Sequence, residues 1–214
     1  MARPARFLVV LDVDSTLIEN EVIELLAEEA GSLDEVADIT ERAMNGELDF
    51  AASLRARVAT LTGLSTGVFE RARQRVTVTN GAERLIEGVH SAGGRVGVVS
   101  GGFHEVLDPI AEELSLWNWS ANRLAVLDDR LTGEVDGPII DAEAKAEALR
   151  RWAGELGVPM SRTVAIGDGA NDLKMMAIAG LSVAFDAKEP VRRAAAVSLD
   201  QRDLGQVLPL LGLR

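Results

Sequence analysis

Polar and apolar positions along the chain follow two rhythms. Phe7 to Leu11 is an unbroken apolar run, the pattern of a strand covered on both faces, as in a parallel sheet flanked by helices. From Val22 the spacing turns helical. Val22, Ile23, Leu25, Leu26 and Ala30 form one stripe, and Gly31 ends it. A second helix is predicted from Leu33 to Met44, with Asn45-Gly46 as its stop. A third runs from about Phe50 to Leu61 with Leu54, Val58 and Leu61 on one face, and a short fourth covers Val68 to Arg75. No strand pattern interrupts residues 17–76, a stretch much longer than an ordinary βα connection. It reads as a small helical domain inserted after the first strand, where it overhangs that strand's carboxyl end.

Strand and helix patterns alternate from there on. A helix from Ala82 to Ala92 stops at Gly93-Gly94, and Arg95 to Val99 reads as a strand. Ser100-Gly101-Gly102 is read as the turn into a helix from about His104 to Leu114. Trp119 to Leu127 and Leu131 to Val135 pattern as a hairpin around Asp128-Asp129-Arg130. A helix from Ala142 to Leu156 is closed by Gly157 and Pro159. Thr163 to Ile166 is another buried strand, a helix follows to about Ala179, Leu181 to Phe185 is a strand, and helical segments finish the chain. The fold class is therefore α/β with a mostly parallel sheet: a core of residues 1–16 and 77–214, and a helical cap of residues 17–76.

Composition narrows the chemistry. The 214 residues are 47% hydrophobic, enough for a sizeable core. There is no cysteine, which removes disulfides, thiolate zinc sites and thiol nucleophiles and suits a reducing, cytoplasmic setting. The five-residue apolar run near the N-terminus is too short for a signal peptide or a membrane span. A net charge of −12 opposes nucleic acid and anionic membranes. It also repels a phosphorylated substrate at long range, so a phosphate must be drawn in by a metal ion and a few local cations. The two histidines, His90 and His104, are read as structural, and a histidine-centred triad is not expected.

The chemistry gathers at strand ends. Asp12 and Asp14 follow the first strand at i and i+2, on one face, just where the ligand crevice of an open α/β sheet lies. Two such anions call for a shared proton or a bound cation. The next strand ends in Ser100-Gly101-Gly102, whose glycines let the backbone approach an anion at a helix N-terminus. The third buried strand ends in Asp168. Three carboxylates without thiolate or imidazole suit a hard, oxygen-preferring cation, most simply Mg²⁺. Metal, anion cradle and carboxylate together suggest phosphoryl transfer through an aspartyl-phosphate. The second carboxylate would then protonate the departing alkoxide and deprotonate the attacking water. An ordinary aspartate titrates near about 3.9; burial beside Asp12 raises Asp14, and a metal lowers it. Ser-Gly-Gly alone marks a turn, and Lys145, one of three lysines, alone reads as a surface residue.

Asp12-Val13-Asp14-Ser15-Thr16 with Glu21, then Ser100-Gly101-Gly102, Lys145 and Gly167-Asp168-Gly169-Ala170-Asn171-Asp172, resemble in order the motifs of the haloacid dehalogenase superfamily. The whole chain, the insert included, is similar to the branch of that superfamily that hydrolyses O-phospho-L-serine, the last step of serine biosynthesis. The resemblance implies a three-layer, Rossmann-like core with a helical cap. It implies Asp12 as nucleophile and Asp14 as acid/base, and Mg²⁺ held by Asp12, the main-chain carbonyl of Asp14 and Asp168, with Asp172 in support. Ser100, the Gly101 amide and Lys145 would hold the phosphoryl oxygens, and Asn171 would reach the substrate. Glu21 and Arg57 would take the substrate's ammonium and carboxylate, and Phe50 would pack over the closed site. Phe50 and Arg57 are seven residues apart and share a helix face.

The chain departs from many relatives in carrying Asn80-Gly81 for Pro-Gly and Asp186 for Asn. It also lacks the N-terminal regulatory extension of some relatives, so feedback control through such a domain is not expected. The partner implied is a small molecule, O-phosphoserine, acted on by a monomer or homodimer. A phosphotransferase or another metabolite phosphatase of the same superfamily shares every core motif and differs in the cap. A receiver-like module phosphorylated on Asp12 leaves Asp14 and so large a cap without a purpose.

Overall fold

The structure, a computed structural model, describes residues 5–44 and 47–214; the predicted Asn45-Gly46 stop lies outside them. In chain order the strands are β1 (Leu8–Leu11), β2 (Arg95–Phe103), β3 (Asn118–Leu127), β4 (Arg130–Asp136), β5 (Thr163–Gly167), β6 (Leu181–Phe185) and β7 (Val197–Leu199). They form one seven-stranded sheet, ordered β4-β3-β2-β1-β5-β6-β7. Each neighbouring pair is parallel except β3–β4, which is the predicted antiparallel hairpin.

The first apolar run becomes the central strand for a simple reason. Leu8, Val9, Val10 and Leu11 are all fully buried, and burying such a side chain is worth about 1.5–3 kcal/mol. Their pleat sends alternate residues to opposite layers. Val9 and Leu11 pack with Leu85 and Val89 of α5 (Ala82–Ser91) and Val106 of α6 (His104–Glu113). Leu8 and Val10 pack with Leu149 and Trp152 of α7 (Ala142–Leu156) and Met175 of α8 (Leu173–Ile178). Two short helices, α9 (Glu189–Ala194) and α10 (Val207–Leu210), complete the layers.

The helices predicted in the insert are all present: α1 (Val22–Ala30), α2 (Leu33–Met44), α3 (Phe50–Ala59) and α4 (Gly67–Arg73). Gly31 and Gly157 adopt the left-handed conformation that ends α1 and α7. The chain leaves β1 through one wide turn, Val13–Leu17, in which Ile18 N donates to Val13 O at 3.0 Å. It returns antiparallel to its own exit, with Glu19 N on Thr77 O and Thr79 N on Leu17 O, both at 2.9 Å. A second attachment was not legible in the sequence. Gly63 N donates to Leu131 O at 2.8 Å and Leu131 N to Leu64 O at 2.9 Å, tying the α3–α4 loop to the edge of β4.

Two expectations are corrected. Strand β2 does not stop at Val99; it continues through Ser100-Gly101-Gly102 to Phe103, so these residues bulge within a strand rather than turn into a helix. The tail is not wholly helical either. Val197–Leu199 pairs with β6; three residues with no apolar run give no periodic signal, and the open edge of β6 supplies the partner. No described helix is long and apolar enough to cross a membrane.

Candidate active site

Asp12 stands at the end of β1, its main-chain N–H still bonded to Ile166 O of β5 at 2.9 Å. Its Oδ1 accepts from Val13 N at 2.7 Å and lies 2.7 Å from Lys145 Nζ. Lys145 is fully buried, against the reading of a surface lysine. Helix α7 places it there: Asp141 caps the helix by accepting from Glu143 N and Ala144 N. Its ammonium also reaches Asp172 Oδ1 at 2.8 Å. Burial lowers the Lys145 pKa, but Asp12 and Asp172 overcome it, and the group is held charged well above its usual range. Asp12 is pushed up, first by burial and then by Asp172, against the pull of Lys145.

Asp172 is fully buried. Its Oδ2 accepts from Gly169 N at 3.1 Å, closing the loop after β5. Gly167 makes room for it, since a β-carbon there would sit 2.3 Å from Asp172 Oδ2. Asp168 is oriented by Thr16 Oγ1, which donates to its Oδ1 at 3.2 Å. Burial, Asp172 and Glu21 push Asp168 up to about 6, against Thr16 and Lys145.

Asp14 lies in the wide turn, and its Oδ1 accepts from Val22 N at 3.2 Å. On the other side a β-carbon at Gly102 would meet Asp14 Oδ2 at 2.7 Å and Ser100 Oγ at 3.0 Å. Glycine at 102 is therefore what brings the carboxyl against the bulge. Burial, then Glu21, push Asp14 up to about 8, against the Val22 hydrogen bond and Lys145. A carboxyl in that range holds a proton at neutral pH, as an acid catalyst must.

The insert closes over this floor. Phe50 lies so near Gly101 that a β-carbon there would meet its ring at 2.9 Å. Glu21 accepts from Ser15 Oγ at 2.6 Å. Arg57 is half-buried; burial lowers its pKa, while Glu21, Asp14 and Glu24 raise it. Its Nε makes a long 3.4 Å bond to Ser53 O, and among the described residues no ion pair occupies the rest of the guanidinium. Asn171 turns its Oδ1 toward Gly169, where a β-carbon would lie 2.4 Å away.

The residues fit a metal ion. Oxygens of Asp12, Asp168 and Asp172 come within 4.8 Å of one another, and all are hard donors of the kind Mg²⁺ or Ca²⁺ takes. Asp172 is thus in the cluster itself, whereas the carboxyl of Asp14 is not. Sequence reading singled out the acids but passed over the hydroxyls that aim them, Ser15 and Thr16, although both stand in the same motif. Asn122, buried behind the bulge, had no signal at all.

Sheet order, wide turn and acid cluster define a phosphoryl-transfer class of α/β hydrolase, and comparison with known proteins agrees. Residues 9–177 match the haloacid dehalogenase-like hydrolases, and the chain belongs to that family. Its relatives include a phosphoserine phosphatase of Streptococcus thermophilus, 50% identical over 204 residues, 95% of each chain. A phosphoserine phosphatase of Streptomyces coelicolor is 54% identical over 211 residues, 99% of this chain but 52% of that relative. This chain thus spans about half of one relative and nearly all of the other. The solved structure of a phospho-aspartyl intermediate analogue of phosphoserine phosphatase superposes with a TM-score of 0.91 at 43% identity, covering 96% of this chain and 99% of that one.

Proposed function

We propose that this chain is a phosphoserine phosphatase, hydrolysing O-phospho-L-serine to L-serine and phosphate through an aspartyl-phosphate on Asp12. The observation that carries the reading is one crevice with two differently tuned acids. Asp12 is paired with buried Lys145, and Asp14 is raised to about 8 beside the Ser100–Gly102 bulge. The relatives that match over the whole chain support the substrate.

Asp12 attacks phosphorus with a carboxylate oxygen as the P–O bond to the serine side chain breaks. Asp14 gives its proton to the departing alkoxide, and L-serine leaves. Asp14, now a carboxylate, takes a proton from water, whose oxygen attacks the phosphorus of the acyl phosphate and frees Asp12. Ser100, the Gly101 amide and Lys145 neutralise the transferring phosphoryl oxygens. Asp12, Asp168 and the main-chain carbonyl of Asp14 would hold Mg²⁺, with Asp172 beside them. Once bound, the ion supplies positive charge that keeps Asp12 ionised and offsets the phosphate's negative charge.

Residues 17–76 act in this reading as the cap. Glu21 takes the substrate ammonium, Arg57 its carboxylate, Asn171 reaches it from the core, and Phe50 closes the site over Gly101. The same proposal makes the enzyme cytoplasmic, a monomer or homodimer acting on a small molecule. A panel of phosphorylated metabolites, assayed for phosphate release with Mg²⁺ and with chelator, tests it. O-phosphoserine should be the preferred substrate and chelator should silence the reaction. Preference for a phosphate lacking an α-amino acid group would overturn the substrate assignment.

A further inference from the structure

The register between β2 and β3 slips at one place. Val99 is paired with Ser120 and Phe103 with Asn122. Between those pairs three residues of β2, Ser100 to Gly102, oppose one residue of β3, Ala121. Such a bulge carries main-chain groups out of the ladder, and a buried carbonyl left without a donor is costly. Asn122 removes that cost. It is 1% exposed, and its Nδ2 donates to Gly101 O at 2.8 Å.

Gly101 C=O and Gly102 N–H belong to one planar peptide. Fixing the carbonyl fixes the N–H, which donates to Ser100 Oγ at 2.7 Å. With that lone pair engaged, the Ser100 hydroxyl proton is left to point elsewhere. The other end of Asn122 is also committed: Oδ1 accepts from Ile140 N at 2.8 Å. The next residue, Asp141, caps α7, the helix that carries Lys145. One buried amide therefore joins the bulge to the start of the Lys145 helix. An amide suits the site, because one end must donate to a carbonyl and the other must accept from an N–H.

We propose that Asn122 is a positioning residue: it holds the β2 bulge so that the Ser100 hydroxyl faces the transferring phosphoryl group, and keeps it in register with the Lys145 helix. The proposal rests on the reading of Ser100 as a phosphoryl donor. It touches no reacting atom and acts through another side chain.

A double-mutant cycle with Ser100→Ala and Asn122→Asp tests it. Aspartate matches asparagine in shape and can still accept from Ile140 N, but once ionised it sets an acceptor against Gly101 O, so its effect is read across pH beside Asn122→Ser, which has no such protonated mimic. For Asn122→Asp, kcat for phosphoserine should fall by about 10–100-fold, less than the roughly 10²–10³-fold seen when a preorganised donor is removed outright because the Ser100 hydroxyl is only misdirected, while KM changes less. In the Ser100→Ala background the same substitution should cost less than about threefold, because the group it positions is gone. If Asn122→Asp does not fold, the cycle is run with Asn122→Ser, which is neutral and smaller and cannot span both partners. Normal turnover by Ser100→Ala would overturn the reading of Ser100 and this inference with it. Normal turnover by the Asn122 variant, or a loss of equal size in both backgrounds, would overturn this inference alone.

Discussion

The carboxyl of Asp14 accepts the main-chain N–H of Val22 at 3.2 Å, so the proposed acid/base is tied to the first residue of the insert's first helix. The adjacent residue, Glu21, is the second-largest influence raising Asp14. In the proposed mechanism the insert and the acid/base therefore share an electrostatic joint, and an ammonium bound at Glu21 would change the proposed acid.

The two aspartates should fail differently. Asp12→Asn should abolish turnover and the acid-labile phosphoprotein trapped by rapid quench. Asp14→Asn should still form some phosphoprotein but slow both half-reactions by about 10²–10⁴-fold, the usual worth of a positioned acid/base. Near-normal phosphate release by Asp12→Asn would remove it as nucleophile.

Glu21→Gln offers a pH test of the joint. Asp14 must be protonated to act as acid, so kcat/KM falls as pH rises through its pKa. Removing the Glu21 charge removes a cause of the raised pKa. The basic limb of the profile should then move to lower pH, measured with an aryl phosphate that has no ammonium to bind. An unmoved limb would show that another group sets it.

Arg57 should govern specificity rather than chemistry. A charged hydrogen bond in a partly desolvated site is worth about 1.5–3 kcal/mol, so Arg57→Ala should lower kcat/KM for phosphoserine by about 10–150-fold. Hydrolysis of an aryl phosphate should change little, and Arg57→Lys should rescue only in part because lysine lacks the planar fork. Equal loss on both substrates would make Arg57 a support of the cap instead.

Metal and pH should be linked in stability. Asp12, Asp14 and Asp168 are all raised above the ordinary value of 3.8. The metal-free fold holds protons there that the unfolded chain has lost. That stability is present in full below 3.8 and is lost as pH rises through about 6 for Asp168 and about 8 for Asp14. The metal-free protein should therefore melt lower at pH 8 than at pH 5, and Mg²⁺ should raise Tm more at pH 8. Stabilisation by Mg²⁺ that does not vary with pH would contradict the linkage.

Lys145 should be as important to folding as to catalysis. Its ammonium is buried between Asp12 and Asp172, and removing one partner of a buried ion pair costs about 3–5 kcal/mol. Lys145→Met should lose about that much in denaturant melts. Adding Asp172→Asn should recover part of the stability without restoring turnover.

The order of elements and most of the residues that gather at the crevice were legible in the sequence, because both rest on local signals. An apolar run, helical stripes and terminal glycines need no knowledge of distant neighbours, and α2 and α7 begin and end where their patterns do. The acid pair after β1 and the motif after β5 were visible for the same reason. Tertiary structure decided what depends on pairing between segments far apart in the chain. The extension of β2 through Ser100-Gly101-Gly102 required β3 as its partner, and β7 required the open edge of β6. Lys145 is buried where Asp12, just past β1, and Asp172, in the loop after β5, converge on it. The raised Asp14 required burial and Glu21, seven residues on around the wide turn. The role of Asn122 lies in two hydrogen bonds reaching 21 and 18 residues away, beyond the reach of any periodicity.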